Sequence, residues 1–430
     1  MPCFGRFMSK PLGDKPPIVV IGGGASGIVA AYRAATLGAS VTLLERTNRL
    51  GTKILISGGG KCNITHSGPI ESILKAFRPH EAAFLRPSFY RFRPEQIVEM
   101  LESKGIDTYV RPDGRVFPTH LIAKDVANAL ADYLEEAKVN VRFLSAVHRF
   151  ERSSDGFLLR LKDEEEMEAR QVVLCAGGSS YPNSGTTGDG WRWAEALGLP
   201  LVPRRAALAP ITLCEDPAEG MAGVALRDIV LKARQNKKEI DRWRGDLLFT
   251  HHGVSGPCAL AVSRVVAERL DEGPVTLEVD LAASESFESL SADWIERAKT
   301  EPRKTLLKAL APLGPERIGY AVLENAGLDP SMMLKDLPKK ERNRLIETIK
   351  MFPVGQVREP VLLKGEVVAG GVSLESADPQ SMRVPAIPGL YIAGEVLDIA
   401  GPVGGYNLQA AWSTGWVAGE SAAKDWLEED

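Results

Sequence analysis

The stretch that most constrains this chain runs from Ile18 to His66. It opens with Ile18-Val19-Val20-Ile21, which reads as a short strand buried on both faces. Gly22, Gly24 and Gly27 follow at G-x-G-x-x-G spacing. An apolar helical pattern then runs from Ile28 through Leu37 and stops at Gly38. A second strand, Ser40 to Leu44, closes on Glu45. Strand, glycine turn, helix, strand and acid, in that order, form a Rossmann-type dinucleotide unit, with the acid roughly 20 residues past the turn.

Each residue type has a task. Gly22 permits the tight turn, Gly24 lets the backbone approach a pyrophosphate, and Gly27 lets helix and strand pack closely. The helix start offers free N–H groups and the positive end of its dipole to phosphates. Glu45 suits ribose hydroxyls and repels a 2′-phosphate, so FAD or NAD fits better than NADP. A plain dehydrogenase does not need what comes next. Ser57-Gly58-Gly59-Gly60-Lys61-Cys62-Asn63-Ile64-Thr65-His66 is a second glycine-rich loop, where backbone must come close to something.

The net charge of −4 gives no case for nucleic acid or an anionic membrane as the main partner. No apolar run approaches the roughly 20 residues that span a bilayer. The stretch 1–17 reads as a polar, disordered lead without a signal-peptide core, and the expected location is cytoplasmic. The five cysteines are scattered and form no C-x-x-C, which disfavours disulfides, zinc and a redox dithiol. Cys62 reads as a packed, inert thiol.

Farther along, Glu71 to Leu85 reads as a helix broken at Pro79, and Pro94 to Lys104 as another. Thr108 to Phe117 reads as a hairpin around Pro112-Asp113-Gly114. Lys124 to Ala137 is a periodic helix feeding strand Val141 to Leu144. Extended segments Val147–Arg152 and Phe157–Leu161 follow, with the acidic run Asp163 to Glu166 as a solvated tip. The buried strand Gln171 to Ala176 runs into a Gly/Ser/Thr loop and a helix over Trp191 to Leu197. From Leu199 short apolar runs between prolines suggest a β-rich insertion, with strands Ile211–Leu213, Ile229–Gln235, Leu247–Thr250 and Val275–Leu281. It contains His251 and His252, which lack a third ligand for a metal. Ser286 to Met351 is helical. Val361 to Val368 returns to strand and Ala369-Gly370-Gly371 reads as a turn. A late strand ending in Ala393-Gly394-Glu395, then a glycine loop and a helix from Tyr406 to about Lys424, indicates a return to the first domain.

These blocks resemble the flavoproteins that bind FAD through a split Rossmann domain. Val172 to Gly178 looks like their Ala-Thr-Gly-Gly segment, and Gly389 to Asp398 like their late Gly-Asp motif. Four further blocks narrow the resemblance. They are Ser57 to Thr65, Gly114-Arg115-Val116-Phe117-Pro118, Phe249-Thr250-His251 with Gly253 to Pro257, and Gly394 to Asp398 with Gly404 to Gln409. Together they are similar to the BaiN/YhiN-type bacterial flavoproteins, often labelled aminoacetone-oxidase-like or NAD(P)/FAD-dependent oxidoreductases. Lys61 stands where that family often has Arg, which loses the planar fork.

The resemblance implies an α/β fold. A split, glutathione-reductase-like Rossmann FAD domain would cover 18–198 and 367–430. An inserted β-barrel-like domain would cover 199–285 and 352–366, and a helical subdomain 286–351. Carried over by motif, the FAD-binding positions are Gly22, Gly24, Ala25, Ser26, Gly27, Glu45, Arg46 and Lys53 in the first block. Ser57, Gly58, Gly59, Lys61, Cys62 and Asn63 follow in the second loop. Ala176, Gly177, Gly178, Gly394, Glu395, Asp398, Gly405, Tyr406 and Asn407 complete the set, with Glu395 and Asp398 competing for the ribityl chain. The helix starting near Tyr406 would aim its N-terminus at the flavin. His251 and Tyr181 are the candidate acid or base.

The flavin would carry hydride chemistry on a small organic substrate. Three readings stand: an oxidase or dehydrogenase of a small amine or similar donor, an NAD(P)H-dependent reductase of an acceptor such as an enone, and a non-catalytic FAD-binding protein. No second G-x-G-x-x-G with a following acid exists, so NAD(P)H, acting as donor, would enter the substrate cleft.

Overall fold

The computed structural model describes residues 15–218 and 220–428. Its centre is a five-stranded parallel sheet in the order Leu390–Ile392, Val172–Leu174, Ile18–Ile21, Val41–Leu44, Asn140–Arg142. Every residue of the two strands Ile18–Ile21 and Val41–Leu44 is buried, as uninterrupted aliphatic strands covered on both faces must be. Helix Ala25–Thr36 follows the first strand, and helix Tyr406–Glu428 crosses it. The crossing is close because Gly415 and Gly419 face backbone: a Cβ on either would overlap the carbonyl oxygen of Ser26 or Ala30. An antiparallel meander of Val147–Ser153, Gly156–Leu161 and Glu166–Ala169 stacks Phe150 on Phe157 at 5.3 Å.

The segment expected to be β-rich closes into a six-stranded barrel. Its order is Ile211–Leu213, Gly253–Ser255, Lys238–Thr250, Ala225–Gln235, Thr276–Asp280, Phe352–Pro360. Leu226, Ile229, Leu231 and Ala233 are buried along one strand, two residues apart from Ile229 onward. Helices Phe287–Thr300, Glu316–Ala326 and Lys339–Lys350 lie between the last two barrel strands in sequence. They share one core with the barrel, in which Trp294, Ile318 and Ile346 join Leu277 and Phe352. A second link to the parallel sheet is the antiparallel pair Leu201–Ala207 and Val367–Val372.

Several elements depart from the sequence reading. Glu71 to Leu85 is two helices, Ile70–Leu74 and Pro79–Arg91, with Pro79 starting the second. The acidic tip is followed by a third meander strand. Val361 to Val368 is not one strand: a short turn over Leu362–Lys364 separates Phe352–Pro360 from Val367–Val372. Gly370 and Gly371 lie inside the latter strand instead of forming a turn. Most of the expected disordered lead lies outside the described residues. Residues 15–17 are anchored: Trp426 Nε1 donates to the Pro16 carbonyl at 2.7 Å and Lys15 sits over the Trp426 ring.

Candidate active site

A cleft of about 440 Å³ opens at the carboxyl ends of the parallel strands, beside the barrel helix Pro257–Arg269. In open α/β sheets ligands bind at that edge. Gly22 takes a φ of 104°, and a Cβ there would strike the Cys175 carbonyl. Gly27 has no room either, since its Cβ would overlap the Gly22 carbonyl. Gly24 differs: nothing lies within 4 Å of its would-be Cβ, which points into open space. Gly24, Ala25 and Ser26 line the cleft, and the first-turn N–H groups of their helix have no intrahelical acceptor. That cradle fits a pyrophosphate.

Glu45 is buried at the cleft wall. Its Oε2 accepts from Gly23 N at 2.8 Å and its Oε1 from Thr47 N at 2.7 Å. Arg46 also lines the cleft and reaches Asp189 at 2.8 Å and Thr187 Oγ1 at 2.6 Å. Lys53 donates to Glu395 Oε2 at 2.7 Å and to Ser180 Oγ at 3.0 Å. Glu395 also accepts from Gly178 N at 3.2 Å and Val368 N at 3.1 Å. One carboxylate thus ties together three segments that end at the cleft.

Ser57, Gly58, Gly59 and Asn63 line the opposite side, where Gly58 and Gly59 adopt φ of 57° and 68°. With its amide turned to satisfy both neighbours, Asn63 accepts from Gly405 N at 2.9 Å and donates to the Thr65 carbonyl at 3.2 Å. Asn407 accepts from Gly401 N at 2.8 Å and donates back to the Gly401 carbonyl at 2.9 Å. This holds the glycine loop against the start of helix Tyr406–Glu428. Gly405, Asn407, Ala176, Gly177 and Gly394 all face the cleft.

Six of the residues read as cofactor-binding, and one of the two candidate acids or bases, do not line it. Gly27 packs on the turn, and Gly178 serves through its N–H to Glu395. Lys61 is exposed outside the cleft. Cys62 is fully buried; burial pushes its thiol up to about 12, against a smaller opposing effect of Ser57. Asp398 is buried and accepts from Gly370 N at 2.8 Å, so of the two competing acids it is Glu395 that reaches the cleft. Tyr406 packs edge-on against His66 and Phe77. The seventh is the candidate acid or base His251, exposed at the end of a barrel strand.

Tyr181, the other candidate, does line the cleft. Its φ of 50° is unusual for a side chain of this size. Burial, with the Glu366 charge as a smaller cause, raises its hydroxyl pKa. Glu366 itself was passed over in the sequence, where nothing marks it out. It lines the cleft, and its carboxyl makes no hydrogen bond among the described residues. Crowding by protein raises its pKa, outweighing the opposing pull of Lys53 and Arg115. Arg111, Arg115 and Phe117 also line the cleft. Gly114-Arg115-Val116-Phe117-Pro118 was visible as a motif but carried no chemical signal of its own.

Comparison with known proteins agrees with this arrangement. The family model described as the HI0933-like protein Rossmann domain matches residues 16–421. A ribosomal RNA dihydrouridine synthase of Escherichia coli (strain K12) is 29% identical over 405 residues, covering 94% of this chain and 96% of that protein. A 3-dehydro-bile acid delta(4,6)-reductase of Clostridium scindens is 30% identical over 410 residues, covering 95% and 99%. Among solved structures, a 3-ketosteroid delta1-dehydrogenase from Sterolibacterium denitrificans superposes with a TM-score of 0.51 at 15% identity. It covers 95% of this chain and 99% of that one, a likeness of fold. No helix of the described residues is long and apolar enough to cross a membrane. With a phosphate cradle, a buried acid at the second strand and a full-length family match, the chain belongs to the HI0933-like Rossmann-domain family, the BaiN/YhiN-type flavoproteins, and is an FAD-dependent oxidoreductase.

Proposed function

We propose that this protein is a reductase that saturates a carbon–carbon double bond conjugated to a carbonyl, with NAD(P)H as electron donor. The reading rests most heavily on two of the cleft's titratable groups. Tyr181 and Glu366 are both shifted toward their protonated forms. Reducing such a double bond requires a proton donor at the α-carbon, whereas oxidising an amine requires a proton acceptor. The names of the two full-length relatives support the same chemistry, since both describe saturation of a ring double bond.

Bound FAD supplies two-electron redox chemistry at its ring. This chain's residues do the rest. The Gly22–Ser26 turn and the helix behind it would hold the pyrophosphate, and Glu45 would face the ribose. Glu395, fixed by Lys53, Gly178 and Val368, would position the ribityl chain. The start of helix Tyr406–Glu428 would set its positive end where negative charge develops. Glu366 holds the proton for the substrate carbon, and Tyr181 donates to the substrate carbonyl.

The test is the visible spectrum of the purified holoenzyme under anaerobic conditions. We expect the flavin band to bleach on adding NADPH or NADH and to return on adding a conjugated enone or a uridine-containing substrate. A band that neither nicotinamide bleaches, but that an amine does, would replace this reading with the dehydrogenase one.

A further inference from the structure

The hairpin of strands Thr108–Val110 and Arg115–Pro118 carries cleft-lining groups that are not among the FAD-binding positions carried over by motif. Tyr109 pairs directly with Phe117, and across the turn Arg111 N donates to the Arg115 carbonyl at 2.9 Å. Directly opposed residues project from the same face of an antiparallel pair, and so do residues two apart. Tyr109, Arg111, Arg115 and Phe117 therefore share one face.

Contacts agree with that register. The Tyr109 and Phe117 rings stack at 6.2 Å with 29° between planes. The Arg111 guanidinium lies over the Phe117 ring at 5.5 Å. Arg111, Arg115 and Phe117 line the cleft, and Tyr109 remains 43% exposed beside them, leaving a ring face for a ligand. Arg111 has no carboxylate partner among the described residues. Arg115 has one, Asp113 on its own turn, at 3.4 Å. Elsewhere at the cleft the cations are engaged: Arg46 by Asp189 and Lys53 by Glu395. Two forked donors with spare N–H groups, next to an exposed aromatic face, match a phosphate joined to a flat heterocycle.

We propose that this hairpin face is a nucleotide subsite: Arg111 and Arg115 take a phosphate, and Tyr109 stacks a ring. The subsite rests on the reductase reading for its purpose, because Arg115 sits close enough to Glu366 to influence it. A nucleotide held there belongs to the donor or to the molecule reduced. The shared chemistry is the phosphate-bearing base, and its two sources are a nicotinamide dinucleotide and a uridine nucleotide within RNA. The chain's net negative charge does not oppose this, since the recognition is local.

The experiment titrates the FAD-loaded protein with NADP⁺, NAD⁺ and a short single-stranded uridine oligonucleotide, at two salt concentrations. Wild type is compared with R111Q/R115Q and Y109A, each checked for an unchanged flavin spectrum. We expect at least one of these ligands to bind. Its Kd should rise about tenfold or more in the double arginine variant, with a flatter salt dependence, and several-fold in Y109A. Loss confined to the dinucleotides assigns the subsite to the donor, and loss confined to the oligonucleotide assigns it to the substrate. If no ligand binds wild type, or Kd is unchanged in R111Q/R115Q, the subsite is overturned. Should the arginine variant lose its ligand while no nicotinamide bleaches the wild-type flavin, the reductase reading falls and the subsite stands. An unchanged Kd with normal bleaching gives the reverse.

Discussion

Two glycines three residues apart show how different tasks share one motif. Gly24 looks into open space and Gly27 into the Gly22 carbonyl. Gly24→Val should therefore leave the apoprotein's melting temperature nearly unchanged and weaken FAD binding by tenfold or more, since its side chain enters the pyrophosphate cradle. Gly27→Ala should cost about 1–3 kcal/mol of stability before any cofactor is added, because the helix must move off its strand. Thermal melts of the apoprotein with FAD titrations separate the two. Glu366 gives a prediction in pH. Its pKa is raised, so the proton it donates is present below that pKa and lost as pH rises through it. Turnover should fall along that alkaline limb. Glu366→Gln should remove the limb and slow the reduction of substrate by about 100-fold, while NAD(P)H still bleaches the flavin. A rate profile of each half-reaction reads this directly. Glu366 was illegible in the sequence because crowding by the protein around the cleft, not residue type, makes a carboxyl unusual. His251 shows the converse: its motif was plain, but the pairing of Thr250 with Gly253 leaves it in an exposed two-residue hairpin turn.

Elements were legible where one physical signal dominated. Ile18–Ile21 and Val41–Leu44 are unbroken aliphatic runs and could be little else. Phe352–Pro360 was assigned to the β-barrel-like insertion but not read as a strand, because Pro353, Gly355 and Pro360 are turn signals, tolerated here among bulges of a closed barrel. Gly370 and Gly371 misled for a related reason. Their positive φ lets the strand pass close to Pro203 and Val396, where a Cβ would overlap backbone. The Lys53–Glu395 pair joins such elements across long stretches of chain. Glu395→Gln keeps the shape and loses the charge, so the bonds to Lys53 and to the two backbone N–H groups weaken. We expect a loss of about 1–2 kcal/mol in chemical denaturation and weaker FAD retention.

At the scale of the molecule, the Gly22–Ser26 turn and the Gly405–Asn407 loop line one cleft although the chain separates them. FAD held between them, as proposed, would bind only the folded state. Saturation at 100 times Kd should add about 2.7 kcal/mol. Calorimetry should show the transition of the parallel-sheet domain moving up on adding FAD. A β-rich insertion was readable from changes in texture and the resemblance implied a barrel, but the strand order was in neither, because it depends on pairings distant in sequence. That order has a consequence for biosynthesis. The barrel strands all lie between Ile211 and Pro360, whereas the sheet's edge strand Leu390–Ile392 and the helix locked to Ser26 and Ala30 by Gly415 and Gly419 come later. A nascent chain therefore completes its barrel while the nucleotide sheet still lacks an edge strand and a covering helix. Until Tyr406–Glu428 emerges, that sheet is the part a chaperone would have to shield.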